Sequence, residues 1–463
     1  MFYLQSRWKT EKDNLVYYGM RYGKNLNKNV LKLKAKQKKI LSALPKELNE
    51  KEKHVLKNLI ETGAIAEREP MQIPESLSKA RFCKQCSAND FIIPGLEFGE
   101  DGLCPMCESR DRTKNLKSVV PLVSDIPKAK KSRFDVAVFY TGGKDSTFLL
   151  YYLSKVKKLR VLALSWIIPY ASDSALKSIE NAGKYFDGVE FITRRICAED
   201  LRKIYEKLYE LNENTCACPS LAYVLFYPTL VEENIPYFVA GNEPAQLAGL
   251  YYNRMAPEIA YKFPDDKFLN FAVNAGRVLT LRPPLKRGQF HTLTTMKQLA
   301  YGTNKLVKLF GYKNELVENV TAAIHTLPNI LKLFKKSIRR SSRTGRIPAF
   351  VQIDFDEACG GKYNWKEVKD LIIKECGWVP PDDDGKGMHT SCKIEKCKEY
   401  SQFVRFYNMR STMIPFSAIE ISLAGRDKNI TREQAIYEIE NTLGFSPEEI
   451  PECEIMKNFL KEQ

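Results

Sequence analysis

The stretch Phe134-Asp-Val-Ala-Val-Phe-Tyr-Thr-Gly-Gly-Lys-Asp-Ser-Thr-Phe-Leu-Leu150 constrains the fold more than any other part of the chain. Phe134 to Tyr140 is a short, β-rich apolar run of the buried-strand type, and Thr147 to Leu153 restarts with helical spacing. Between them, Gly142 and Gly143 can take backbone angles closed to other residues. A tight turn there aims free N–H groups, and the positive end of a helix dipole, at an anion. The turn has neither the four-residue gap before Lys-Ser or Lys-Thr nor the spaced glycines of a dinucleotide fold.

Strands and helices alternate after this turn. Arg160 to Trp166, Val189 to Ile192 and Pro236 to Gly241 read as strands, and Asp173 to Phe186 and Ala198 to Leu211 as helices. That alternation predicts an α/β fold with a doubly wound parallel sheet, whose ligands sit at the carboxyl ends of the strands. Ser165 and Trp166 end the second strand, and Gly241, Asn242 and Glu243 the fourth, so all five are expected to border the ligand. From Leu299 the pattern turns helical and an α-rich region follows.

Two Cys-x-x-Cys knuckles, Cys83 with Cys86 and Cys104 with Cys107, are separated by seventeen residues. That spacing places four thiolates at tetrahedral zinc distances, as in a zinc ribbon, with no position left open for catalysis. An iron–sulfur cluster is the competing occupant. No apolar run approaches the roughly 20 residues that cross a bilayer, and the N-terminus lacks the basic-then-apolar order of a signal peptide. A cytoplasmic protein without membrane contact is expected, with its twelve cysteines reduced.

The net charge of +16 is unevenly placed, since residues 1–60 hold fifteen Lys/Arg against five Asp/Glu. A second basic run spans Lys332 to Arg346. Both suit an acidic partner, either tRNA phosphates or an acidic carrier protein. The expected organisation is a basic, mostly helical head (1–80), a zinc ribbon (81–115), the nucleotide domain (116–300) and an α-rich C-terminal region (301–463).

Thr141-Gly-Gly-Lys-Asp-Ser146 resembles the Ser-Gly-Gly-x-Asp-Ser loop of the PP-loop ATP pyrophosphatases, with Thr141 in place of the first serine. The resemblance implies a Rossmann-like domain that binds ATP, transfers AMP to a substrate oxygen and releases pyrophosphate. It places Thr141, Gly142, Gly143, Lys144 and Ser146 on the phosphates, Mg2+ near Asp145, and the adenine beside Ser165 and Trp166. Within that superfamily the chain is most similar to the N-acetyl sugar amidotransferases. The similarity rests on the cysteine knuckles, on Gly241-Asn-Glu-Pro-Ala245 and on Ile421 to Ala435.

Cys216-Ala-Cys218, Cys392 and Cys397 depart from that branch, because ammonia transfer needs no thiol. In the tRNA thiolases of the same superfamily a Cys-x-x-Cys pair opens the helix before the fourth strand, where Cys216 and Cys218 fall here. By that resemblance Cys392, three residues after His389, is the candidate third thiol and Cys397 the fourth of a 4Fe–4S cluster or persulfide relay. The leading expectation is adenylation of a carbonyl oxygen and its replacement by sulfur, with Lys144, Asp145, Cys216, Cys218 and Cys392 as the catalytic set. The alternative is amidine formation on an N-acetyl sugar, with ammonia from a partner glutaminase. A third class is an RNA-binding module with a vestigial loop, which the intact Lys144, Asp145 and Ser146 oppose.

Overall fold

Val136, Val138 and Tyr140 turn to one side of the strand Val136–Phe139, Ala137 and Phe139 to the other, and both sides are buried in apolar clusters. A strand covered on both faces belongs at the centre of a parallel sheet flanked by helices. In the computed structural model of this chain it lies between Val161–Ile167 and Tyr237–Ala240. Glu190–Arg195 lies beyond the former, Ala349–Phe350 beyond the latter, and all four pairings are parallel. The described residues are 1–26, 28–109, 122–123, 125–211, 217–255, 266–305, 308, 312, 314–382, 387–388 and 390–461.

The chain moves outward through its second and third strands, then returns to lay the fourth against the other side of the first. Strand order therefore reverses beside Val136–Phe139, which is where open α/β sheets bind ligands. One face is covered by helices Lys144–Tyr151, Asp173–Tyr185 and Trp365–Cys376. The other is covered by Ala198–Glu210, Cys218–Glu232, Gln289–Tyr301 and Pro328–Thr344. The expected α/β architecture is present, with a five-stranded parallel sheet. The fifth strand was not anticipated: two residues just after Pro348 are too short to show any period.

The head is not mostly helical, which corrects the expectation drawn from its lysines. Trp8–Glu11, Asn14–Tyr17 and Val30–Lys32 form a three-stranded antiparallel sheet, joined first by a turn at Lys12 and Asp13 in which Lys12 has φ 53°. Trp8, Val16 and Tyr17 are strand formers, and an exposed Lys32 leaves a strand as readily as a helix. Helices Ala35–Leu41 and Glu50–Glu61 complete a separate small core containing Trp8, Leu15, Tyr17, Leu56 and Leu59. Asn49 caps the second helix by accepting from Glu52 N at 2.9 Å. Arg7 joins this module to helix Glu395–Tyr407, donating to Phe406 O at 2.6 Å and Tyr407 O at 2.7 Å.

Candidate functional site

The glycine loop is held from three sides. Gly142 has φ 73°, and a Cβ there would lie 2.4 Å from Ala175 O, so a side chain is excluded twice over. From the fourth strand, Gly241 comes so close that its Cβ would stand 2.6 Å from Ser146 N. From the C-terminal region, Trp378 Nε1 donates to Gly142 O at 3.0 Å and Thr390 Oγ1 accepts from Lys144 N at 3.2 Å. Thr141 remains exposed at the mouth, its Oγ1 3.2 Å from Ser146 Oγ.

Lys144 points beneath the loop. Only 1% exposed, its ammonium is ion-paired with Asp145 and lies 2.5 Å from Tyr363 Oη, with the Tyr363 and Trp365 ring centres at 5.1 and 4.9 Å. Tyr363 also donates to Asp145, and Trp365 Nε1 donates to Glu243 Oε2 at 2.7 Å. Asp145 keeps 18% of its side chain exposed, so it is the member of the ion pair that reaches the surface. Burial pushes the Glu243 carboxyl up to about 8, with Lys144 opposing the rise and Asp145 and Glu420 adding to it. Burial likewise takes Glu438 to about 7, against the N–H groups of Met388 and Gly387 that it accepts from. One buried ammonium is thus surrounded by carboxyls, two of which retain protons toward neutral pH.

At the end of the second strand, Ser165 Oγ and Trp166 Nε1 are buried without a hydrogen-bond partner among the described residues. Buried polar atoms are rarely left so; Ser165 follows Val161 and Ala163 on the face of the glycine-loop helix and Trp166 follows Leu162 and Leu164 on the other, so a ligand at the loop would satisfy Ser165 Oγ. Asn242 Nδ2 donates to Gln246 Oε1 at 3.2 Å, and its carbonyl accepts from Gln352. Sequence reasoning missed Tyr363, Trp365, Trp378 and Thr390. The first, third and fourth of these lie 219, 236 and 246 residues from the loop atoms they meet, and no local pattern carries such a contact.

The four knuckle cysteines converge as their spacing predicts. Their sulfurs all lie within 4.8 Å, with Cys83 Sγ–Cys107 Sγ at 3.8 Å and Cys86 Sγ–Cys104 Sγ at 3.7 Å. Four thiolates around one tetrahedral Zn2+ at about 2.3 Å would be separated by about 3.8 Å, so the set fits a single ion. Gln85 N, Ala88 N and Cys104 N donate to Cys83 or Cys86 sulfur at 3.3–3.5 Å, which steadies thiolates. Without a cation, hydrogen bonds from the neighbouring thiols hold Cys83 down, while Cys86 and Cys107 are pushed up.

The segment Ile421 to Ala435 grips this centre. Ser87 Oγ donates to Ile421 O at 3.3 Å, and Arg426 Nη1 to Met106 O at 2.9 Å. Arg432 reaches Cys86 O at 3.2 Å and Cys83 O at 3.3 Å. Thr431 and Gln434 cap helix Arg432–Asn441 reciprocally, at 3.1 Å each way.

The second cysteine set is placed differently. Cys216 and His389 lie outside the described residues. Cys218 opens helix Cys218–Glu232 as expected but is disulfide-bonded, a correction to the expectation of twelve reduced thiols. Cys392 is half-buried, its backbone bridged to Ala171, and lies two residues beyond Thr390. The Cys397 thiol meets Cys453 and is pushed up by that hydrogen bond and by burial. Among the described residues only Cys83, Cys86, Cys104 and Cys107 form a metal-ligating group.

No protein-family model matches this chain, and no curated protein matches it in sequence. Among solved structures, it is similar to the U34-tRNA thiolase NcsA from Methanococcus maripaludis with its [4Fe-4S] cluster, at 16% identity and a TM-score of 0.22. That match covers 57% of this chain and 86% of the other.

Proposed function

We propose that this chain activates an oxygen of its acceptor with ATP, releasing pyrophosphate, and that sulfur then replaces the activated oxygen. The reading is supported by one arrangement: a glycine loop at the strand-order reversal, with Asp145 at its mouth and unpartnered Ser165 Oγ and Trp166 Nε1 at the adjoining strand end. An amide or ketone oxygen leaves poorly, whereas AMP leaves well, so activation is the step such a site is needed for.

Loop N–H groups and the Thr141 and Ser146 hydroxyls would meet the phosphates, and Asp145 would hold Mg2+. Lys144, lying behind Asp145, would orient it and add positive charge beneath the loop. Ser165, Trp166, Gly241, Asn242 and Glu243 would frame the nucleoside. Cys83, Cys86, Cys104 and Cys107 would hold a structural Zn2+. Cys392 is the thiol best placed to carry sulfur, since Thr390 two residues away contacts the loop. Cys216, Cys218 and Cys397 remain proposed members of a persulfide or iron–sulfur set. Replacing Cys392 with Ser is expected to spare pyrophosphate release and stop thiolated product from forming, with tRNA and acidic carrier proteins as the acceptors to test. Full formation of thiolated product by that variant removes Cys392 as the sulfur carrier, and pyrophosphate release by the wild type without a thiolated product sinks the sulfur reading.

A nitrogen reading is favoured by a different observation: Cys218 is in a disulfide and Cys397 is engaged with Cys453. Ammonia from a partner glutaminase needs no thiol. Ammonia-dependent AMP release with an acetamido-sugar nucleotide, undiminished by Cys392→Ser, would establish it.

A further inference from the structure

Helix Lys267–Leu279 is inverted relative to the usual surface helix. Its polar side chains face inward: Arg277, 8% exposed, donates to Pro283 O at 2.8 Å and Ser342 O at 3.0 Å, and Asn274 Oδ1 accepts from Leu285 N at 2.8 Å. Val273 packs against the core, but three other apolar side chains face out, with Phe268 80%, Phe271 72% and Leu279 84% exposed. Leu281 follows at 92% exposure with φ 55°, a backbone state that glycine normally supplies after a helix. The backbone thus bears a strained leucine whose side chain the described residues do not cover.

The surrounding charge is one-sided. Residues 267–353 contain sixteen Lys/Arg and two Asp/Glu, a net +14 of the chain's +16. Both acids are engaged, Glu318 with Lys308 at 2.7 Å and Glu315 with Arg405 at 2.8 Å. The outer side of helix Pro328–Thr344 exposes Lys332, Lys336, Arg340 and Arg343. The Arg277–Ser342 bond joins that helix to the apolar one, and Lys335 Nζ lies 5.4 Å over the ring of Tyr301.

We propose that this face binds the surface of an anionic lipid bilayer. Phe268, Phe271, Leu279 and Leu281 would enter the boundary with the acyl chains, and the Lys and Arg side chains would meet headgroup phosphates. No helix among the described residues is long and apolar enough to cross a membrane, so the contact is peripheral. A second copy of the chain fits poorly, because the same patch would face its own positive charge. Nucleic acid fits the cations but offers nothing to two fully exposed leucines.

Sedimentation of the full-length protein with phosphatidylcholine vesicles, with and without phosphatidylglycerol, tests the proposal. Binding is expected only to the mixed vesicles and to weaken with salt. Phe268→Ser with Phe271→Ser should lower the partition coefficient on the order of tenfold or more, and Lys336→Glu with Arg340→Glu should lower it as well. As a readout independent of sedimentation, the Phe271→Trp variant should shift its emission to the blue on mixed vesicles. Absence of binding to mixed vesicles overturns the proposal. So does binding that the Phe268 and Phe271 substitutions leave unchanged while RNA displaces it, which marks a nucleic-acid face instead. Capture of an acidic protein by wild type but not by those variants, with no vesicle binding, also overturns it.

Discussion

The four-thiol centre and the glycine loop are both fixed by short sequence motifs, yet they differ in how completely their polar groups are satisfied. At the thiols the surroundings close inward: three backbone N–H groups donate to sulfur, and Arg426 and Arg432 take up the knuckle carbonyls. At the loop, Ser165 Oγ and Trp166 Nε1 are buried without partners among the described residues, and a charged cluster lies beneath. The first arrangement has the character of a staple and the second that of a binding site. The two can be separated by what their loss does to stability and to turnover.

The largest effect is expected at the staple. If the four thiols hold a metal as proposed, Cys83→Ser should lower metal content and cost about 4 kcal/mol or more in denaturant unfolding. Wild-type unfolding of that variant, or a metal content unchanged, would remove the staple reading. Next comes the cluster under the loop. Glu243 titrates at about 8 in the folded chain against an ordinary 4.5, so between those values the folded state binds more protons than the unfolded one. Stability should therefore be greatest below the ordinary value and fall as pH rises through about 8. Melting curves of Glu243→Gln should lose much of that decline, leaving the smaller part from Glu438, which titrates at about 7. An identical pH profile in the variant would show that Glu243 is ionised in the fold.

Arg432→Ala should destabilise by about 1–3 kcal/mol, because two knuckle carbonyls lose their donor, and should leave metal stoichiometry intact. The smallest effect on stability belongs to the loop side. Ser165→Ala is expected to change unfolding by no more than about 0.5 kcal/mol while raising the KM for ATP several-fold. A large stability loss with unchanged KM would make Ser165 an ordinary core residue.

Much of this was legible because it is local. The knuckles, the loop and four of the five strands each lie within a few residues of sequence, and periodicity or spacing specifies them. The surroundings of Lys144 were not legible, since Tyr363 and Trp365 carry no local pattern that ties them to the loop until folding brings them beneath it. The Ile421 to Ala435 segment was visible as a motif, but its task of holding the knuckles depends on contacts such as Arg432 to Cys83, 349 residues away. The head misled for a different reason, because lysine-rich sequence fits the outer side of a strand and of a helix equally well.

Turnover products decide the central claim most directly. With Mg2+, a reduced-sulfur donor or ammonia as the nucleophile that displaces AMP, and pools of tRNA, acidic carrier protein and acetamido-sugar nucleotides, the wild-type chain should convert ATP to AMP and pyrophosphate in equal amounts, and Asp145→Asn should form neither. ADP and phosphate as products, or equal AMP formation by Asp145→Asn, would contradict the account.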